Sequence, residues 1–475
     1  MTGHSTHAHH PPGGLTECIA RFIVDTPGAA IPAPAFERAG AAVVDTIGCM
    51  LAGSASELRD PVLNFLAQSG GSGKHPVAGT TVCTSAALAA LANGSFCHAL
   101  DFDDTLSMMP AHPSGVILPA LLASLDEHTD GARLLDAYVI GLEVGAKIGL
   151  GITNGHYRRG FHATGTLAIF SAVAALARLH RLDVATTRTA IGVAASMASG
   201  LRCNFGTMVK PLHSGWAAHN AVTSVALARS GMSAHPAALE ASAGFFAAYG
   251  TEQSDTAVTQ AALGAPFTLV TPGVALKKYP CIYLLHRPIE AVLKLREALA
   301  FKPGDIDWIE CRGAPGAFLP LITHLPATGL EGKFSLDYIL AAGVVDGRHD
   351  LASFTDEAVN RAEVARLYPR LRRVEDERCL GGEMEPAKRS AGSIGFIEVT
   401  VRLLDGRQQT VRVDRPPGAP ERPLSWSDLR EKFLDCCRFA HLGQMRSARL
   451  FDAWRNLGAT QALAPLVSTL AKDGE

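Results

Sequence analysis

The chain has 475 residues and a formal net charge of −2, with 47% hydrophobic and 19% charged residues. That length exceeds a single hydrophobic core and predicts two domains; a charged fraction below the roughly 25% usual for soluble proteins predicts that some surface is buried between subunits. Near-zero net charge, no long basic run and few aromatics exclude a nucleic-acid groove, leaving a small molecule as the expected partner.

Residues 1–15 open with "MTGHSTHAHHPP", a His-rich stretch read as a disordered tail, since nothing fixes its imidazoles relative to one another. Apolar residues at three- and four-residue spacing then predict an all-helical domain over 16–271. "TSAALAALANGSFCHAL", "SGVILPALLASLDEH", "DGARLLDAYVIGLEVGAKIGL" and "TGTLAIFSAVAALARLHRL" each start with Ser, Thr or Asp at an expected N-cap and are rich in Ala, as closely packed helices require. Past "TPG" at Thr271–Gly273 the character changes to α+β over 272–418. A helix near Leu285–Ala298 precedes "DIDWIECRG", then come helices near Ser335–Val345 and Asp356–Leu367. "GFIEVTVRLLDG" and "RQQTVRVDRP" follow as a hairpin with an Asp-Gly turn. "PPGAPERPLSW" reads as a linker, and helices over 419–475 are expected to rejoin the first domain. The fold class is therefore mainly α, a large helical domain made of N- and C-terminal segments with a smaller α/β lid inserted.

Ten cysteines lie scattered without any C-x-x-C, and the N-terminus offers neither a basic leader nor an apolar h-region. Together they predict reduced thiols in a soluble, cytoplasmic protein. No run reaches the roughly 20 apolar residues that span a bilayer, so no membrane partner is expected. "GGSGKH" at Gly70–His75 lacks the spacing and the hydroxyl of a phosphate loop, and no H-E-x-x-H, G-x-S-x-G or dinucleotide fingerprint occurs.

Four segments concentrate polar chemistry at breaks between apolar helices. "CHALDFDDTLSMMPAHPSG" places Asp101, Asp103 and Asp104 at a helix end, where carboxylates oppose the dipole, with His112 downstream and Ser114 as an expected cap. "GLGITNGHYRRGFHATGT" reads as a basic, glycine-rich connection carrying His156, Arg158, Arg159 and His162. "GLRCNFGTMVKPLHSGWAAHN" sets Lys210 and His213 just before a helix that Ser214 is expected to cap, with Arg202 upstream. "VALKKYPCIYLLHRP" brings Lys277, Lys278 and His286 to the expected domain junction. This set of Asp, His and Lys, without a cysteine cluster or metal-ligand spacing, suits proton transfer beside a carboxylate. It argues against an iron-sulfur hydro-lyase and against a helical protein with only an interaction role.

In order and separation, "ALDFDDT" with "HPSG", "GFHATGT", "GLRCNFGTMVKPLHSG" and "KKYP" resemble the MmgE/PrpD family. The resemblance implies a cofactor-independent, metal-free homodimer acting on a small polycarboxylate in a cleft between helical domain and lid. By it, Asp101, His112, His162, Lys210 and Lys277 fall on catalytic positions and Tyr338 on a tyrosine contributed by the lid. Thr105, Arg202 and His213 are the candidate substrate-binding residues, while Asp103 and Asp104 read as mainly structural. The leading activity is elimination of water, as in 2-methylcitrate dehydratase, with Lys210 and Lys277 clamping carboxylates, His162 or Asp101 as base and His112 as acid. Epimerisation of an iminodisuccinate-like dicarboxylate would use the same groups. Decarboxylation of cis-aconitate is the further alternative, although Cys281 and Ile282 stand where the decarboxylase pattern places a histidine.

Overall fold

The computed structural model describes residues 13–382, 388 and 394–472. Most of the His-rich tail lies outside the described residues; Leu15, assigned to that tail, instead opens the first helix and is buried. The helical part contains α1 (Leu15–Asp25), α2 (Ala33–Gly53), α3 (Ala86–His98), α4 (Ser114–Leu122), α5 (Gly131–Arg158), α6 (Ala168–Leu179) and α7 (Val209–Arg229), with further helices between them, such as Arg59–Gln68 and Val184–Met197. The α/β part holds α8 (His286–Leu299), α9 (Leu336–Asp346) and strands β1 (Ile306–Gly313), β2 (Leu371–Glu375), β3 (Ile397–Leu403) and β4 (Gln408–Val413). After it, α10 (Trp426–Phe439) packs back on α2.

Two large cores follow. One joins apolar side chains of the N-terminal helices to those of the C-terminal segment, such as Leu429, Phe433, Phe451 and Trp454. The other lies between Tyr279 and Val413, where α8 and α9 cover a four-stranded sheet of order β2-β1-β3-β4. The β1/β2 pair is parallel and the remaining pairs antiparallel, and β3 alternates buried and half-exposed residues as a one-sided sheet requires. The expected hairpin is β3–β4, in register from Ile397/Val413 to Arg402/Gln408. No helix among the described residues is long and apolar enough to cross a membrane.

Three local expectations need correction. Of the five expected caps, only Asp130 accepts a helical N–H, from Arg133 at 2.7 Å. Ser114 is already inside α4, with its hydroxyl committed to Asp104 and Tyr138, and Ser214 lies within α7, which begins at Val209. "GLGITNGHYRR" is mostly the end of α5, interrupted at Thr153 (φ 68°), so Arg158 is exposed and Arg159 donates to the Gly250 carbonyl. The helix expected near Asp356–Leu367 is two single turns, Asp356–Val359 and Ala362–Ala365.

The crossing of α3 and α7 positions the site. Gly94 and Gly215 meet there, and a Cβ on Gly215 would lie 2.1 Å from the Leu91 carbonyl oxygen and from Ser95 Oγ. Only because both lack side chains can the C-terminal end of α3, leading into Asp101, lie against the first turn of α7, which carries Lys210. Gly215→Ala is expected to lower the urea midpoint of unfolding, costing roughly 1–3 kcal/mol as overpacking does; an unchanged midpoint would mean that the helices do not cross this closely.

Candidate active site

Asp101 follows α3 with φ +54°, a left-handed conformation uncommon for a side chain bearing a Cβ but tolerated best by Asp and Asn. Its carboxylate accepts from Lys210 Nζ at 2.7 Å and pairs with Lys277 Nζ at 3.2 Å, while Lys277 also donates to the Asp101 carbonyl at 2.7 Å. Burial alone would push this carboxyl up, but Lys210 and Lys277 outweigh it and hold it well below the ordinary range, so Asp101 is ionised. Lys277 reaches the site through a backbone bridge in which Thr105 N–H donates to Ala275 at 2.9 Å and Ala275 N–H donates back at 3.0 Å. From α10, Lys432 donates to the carbonyls of Phe102 (2.7 Å) and Lys277 (2.8 Å) and pairs with Asp45 at 2.6 Å. One buried lysine of the C-terminal segment thus ties both strands of the site together.

Imidazoles form the second layer. Asp103 lies between His98 Nδ1, at 2.9 Å, and His112 Nδ1, at 3.4 Å. The ring of His98 is 4.3 Å from that of His112 and 5.8 Å from that of His162. His162 is carried inward because the backbone at 160–162 pairs with that at 200–202, and its Nδ1 lies 2.9 Å from His213 Nδ1. One of these two rings must therefore donate and the other accept. Burial lowers His98 to about 4, with Asp103 opposing; burial also drives His162 well down, aided by His98 and Lys210, and lowers His213. These three rings are neutral near pH 7. Asp104 is raised to about 8, first by burial and further by Asp103 and Asp45 against its bonds to Ser114, and so holds its proton.

Asp101, His112, His162, Lys210, His213 and Lys277 therefore converge, with Thr105 forming the bridge beside them. Tyr338 does not join them. It is fully buried in the second core, where its ring lies 5.9 Å from that of Phe354 and its hydroxyl donates to the Ser353 carbonyl. Arg202 stands one layer out, donating to the Tyr157 carbonyl at 2.9 Å and lying 3.8 Å over the Tyr157 ring.

Sequence reasoning missed three residues. His98 sits inside what reads as an apolar helix end. Lys432 lies in a helix far along the chain. Lys333, from the α/β part, donates to the carbonyls of Leu100 (2.6 Å) and Pro280 (2.9 Å) and is buried. The one available signal was the His-Ala-Leu run directly before Asp101. The fold also groups His98, Asp103 and His112 so that one ligand atom from each lies within 4.8 Å of the others, a set with donors a cation would accept, although no metal-ligand spacing is legible in the sequence.

A MmgE/PrpD N-terminal domain profile matches residues 17–257 and the corresponding C-terminal profile matches 279–456. The chain belongs to the MmgE/PrpD family. Among similar proteins is the human (Homo sapiens) "Cis-aconitate decarboxylase", 29% identical over 361 residues, covering 73% of this chain and 71% of the relative. The "Cis-aconitate decarboxylase" of Aspergillus terreus is 26% identical, covering 86% of each chain. The "Cis-aconitate decarboxylase-like protein oryM" of Aspergillus oryzae is 26% identical, covering 89% and 90%. The Asp101–Lys210–Lys277 cluster joins the N-terminal MmgE/PrpD profile region to the stretch that follows it, and it is closed from the C-terminal profile region by Lys333 and Lys432.

Asp104 allows a direct test of the site's electrostatics. A carboxyl raised from 3.8 to about 8 binds its proton more tightly in the folded state, so its contribution to stability is complete at low pH and is lost as pH rises through that window. Asp104→Asn, which mimics the protonated acid, is expected to gain stability relative to the parent between about pH 4 and 8. Urea unfolding at a series of pH values measures the difference, and a constant offset would contradict the assignment.

Proposed function

We propose that the protein is a lyase acting on a small di- or tricarboxylate through a carbanionic intermediate, with elimination of water as its leading reaction. The observation that carries this reading is the convergence of two lysines and several neutral imidazoles around the single carboxylate of Asp101. Neutral imidazole is the form that accepts a proton near pH 7, and buried ammonium groups stabilise negative charge developing on a substrate carboxylate. His162 takes the proton α to that carboxylate; His213, accepting from His162 Nδ1, leaves the other ring nitrogen free as base. The released electron pair moves onto the carboxylate as an aci-carboxylate beside Lys210 and Lys277. It returns to form the double bond as the β-hydroxyl leaves with a proton from His112. The working form proposed is a homodimer that needs no cofactor or metal.

A second reading is loss of CO₂ from cis-aconitate, the activity for which the relatives are named. The electron pair left by the departing CO₂ would be held by the same lysines and quenched by a proton from an imidazole. Against it stands Cys281, whose thiol burial pushes up to about 12, so this position supplies no proton donor suited to neutral pH. The test is to incubate chelator-treated protein in D₂O with 2-methylcitrate, citrate and cis-aconitate and to follow products by NMR. Unsaturated product from a hydroxy acid is expected, reduced about 10²-fold or more in His162→Ala and Lys210→Ala. CO₂ with a decarboxylated product would select the second reading, deuterium uptake alone would indicate an epimerase, and no reaction with any polycarboxylate would reject the lyase reading.

A further inference from the structure

Lys333 is a buried ammonium group held by two backbone carbonyls, Leu100 O from the helical part and Pro280 O from the junction. Among the described residues no carboxylate pairs with it directly. The Asp101 carboxylate acts on it through space but is already shared by Lys210 and Lys277. A buried cation without its own counter-charge is costly unless an anion completes it. Lys333, His98, Asp101 and Lys210 line one cavity of about 50 Å³, with the exposed Glu57 at its rim. That space holds a few water molecules or a single carboxylate group. Three lysines face one aspartate here, so the surplus positive charge exceeds what one substrate carboxylate would neutralise.

We propose that Lys333 is a carboxylate-binding residue of the site and that it selects a substrate carrying three carboxylates over one carrying two. This rests on the polycarboxylate reading above and narrows it. Lys210 and Lys277 take the carboxylate beside the reacting carbon, and Lys333 takes one further along the substrate, from the α/β side of the cleft. Burial lowers the Lys333 ammonium to about 8, and a bound anion would raise it again.

The experiment is calorimetric binding of propane-1,2,3-tricarboxylate and of glutarate, neither of which carries a hydroxyl to eliminate, so the readout is independent of turnover. The parent protein is expected to bind the tricarboxylate more tightly. Lys333→Gln keeps an N–H donor for the two carbonyls but removes the charge. It is expected to weaken the tricarboxylate roughly tenfold or more while changing glutarate by less than about threefold. Lys333→Arg, which keeps the charge, is expected to keep the preference and covers the case in which the Gln variant fails to fold. A Gln variant that retains the parent's preference, or loses both ligands equally as a merely structural latch would, overturns the role of Lys333 alone. A parent protein that binds neither acid overturns the polycarboxylate reading with it.

Discussion

One aspartate shared by two lysines, Lys277 buried and Lys210 half-buried, is the constraint around which the rest of the structure is arranged. Removing three charges from water is expensive, and the arrangement persists only because each charge is met at hydrogen-bonding distance. Asp101 gives its side chain to Lys210 and its carbonyl to Lys277, which requires the left-handed backbone conformation it adopts. Lys210 arrives from α7, which approaches closely only where Gly94 and Gly215 meet. Lys277 arrives through its bridge beside Thr105, and Lys432 fastens both backbones from the C-terminal segment. Segments distant in sequence are thus held to one carboxylate.

The surrounding titratable groups are pushed in a consistent direction. Burial keeps His98, His162 and His213 neutral and Asp104 protonated, while the ionised Asp103 sits between His98 and His112. The cations facing the cleft therefore outnumber its anions. Such a cleft has bases that can accept a proton and fixed positive charge where a substrate's negative charge would grow. This is the balance that proton abstraction next to a carboxylate demands.

Much of this was legible in the sequence, for reasons that can be traced residue by residue. The 3.6-residue periodicity located α3 to α6 and a helical C-terminal segment, and the Asp-Gly turn located β3–β4. The misfit of three carboxylates at a helix end pointed to Asp101. What escaped depends on tertiary packing. Ser114 and Ser214 look like caps, but their helices start earlier or their hydroxyls are committed elsewhere. Glycines in "GLGITNG" suggest a loop, yet they let α5 pass close to its neighbours: a Cβ on Gly149 would meet Met109 and one on Gly151 would meet Thr259. Tyr338 sits in a motif that resembles a site segment but faces the second core. Lys333 and Lys432 are single lysines in ordinary surroundings, and only the fold brings their amines to the backbone around Asp101.

The most direct test of this account is a crystal structure of the protein with citrate bound. The account predicts a citrate carboxylate within hydrogen-bonding distance of both Lys210 Nζ and Lys277 Nζ, with the His162 ring facing the adjacent carbon. Citrate bound elsewhere, with both lysines still engaged by Asp101 alone, would contradict it.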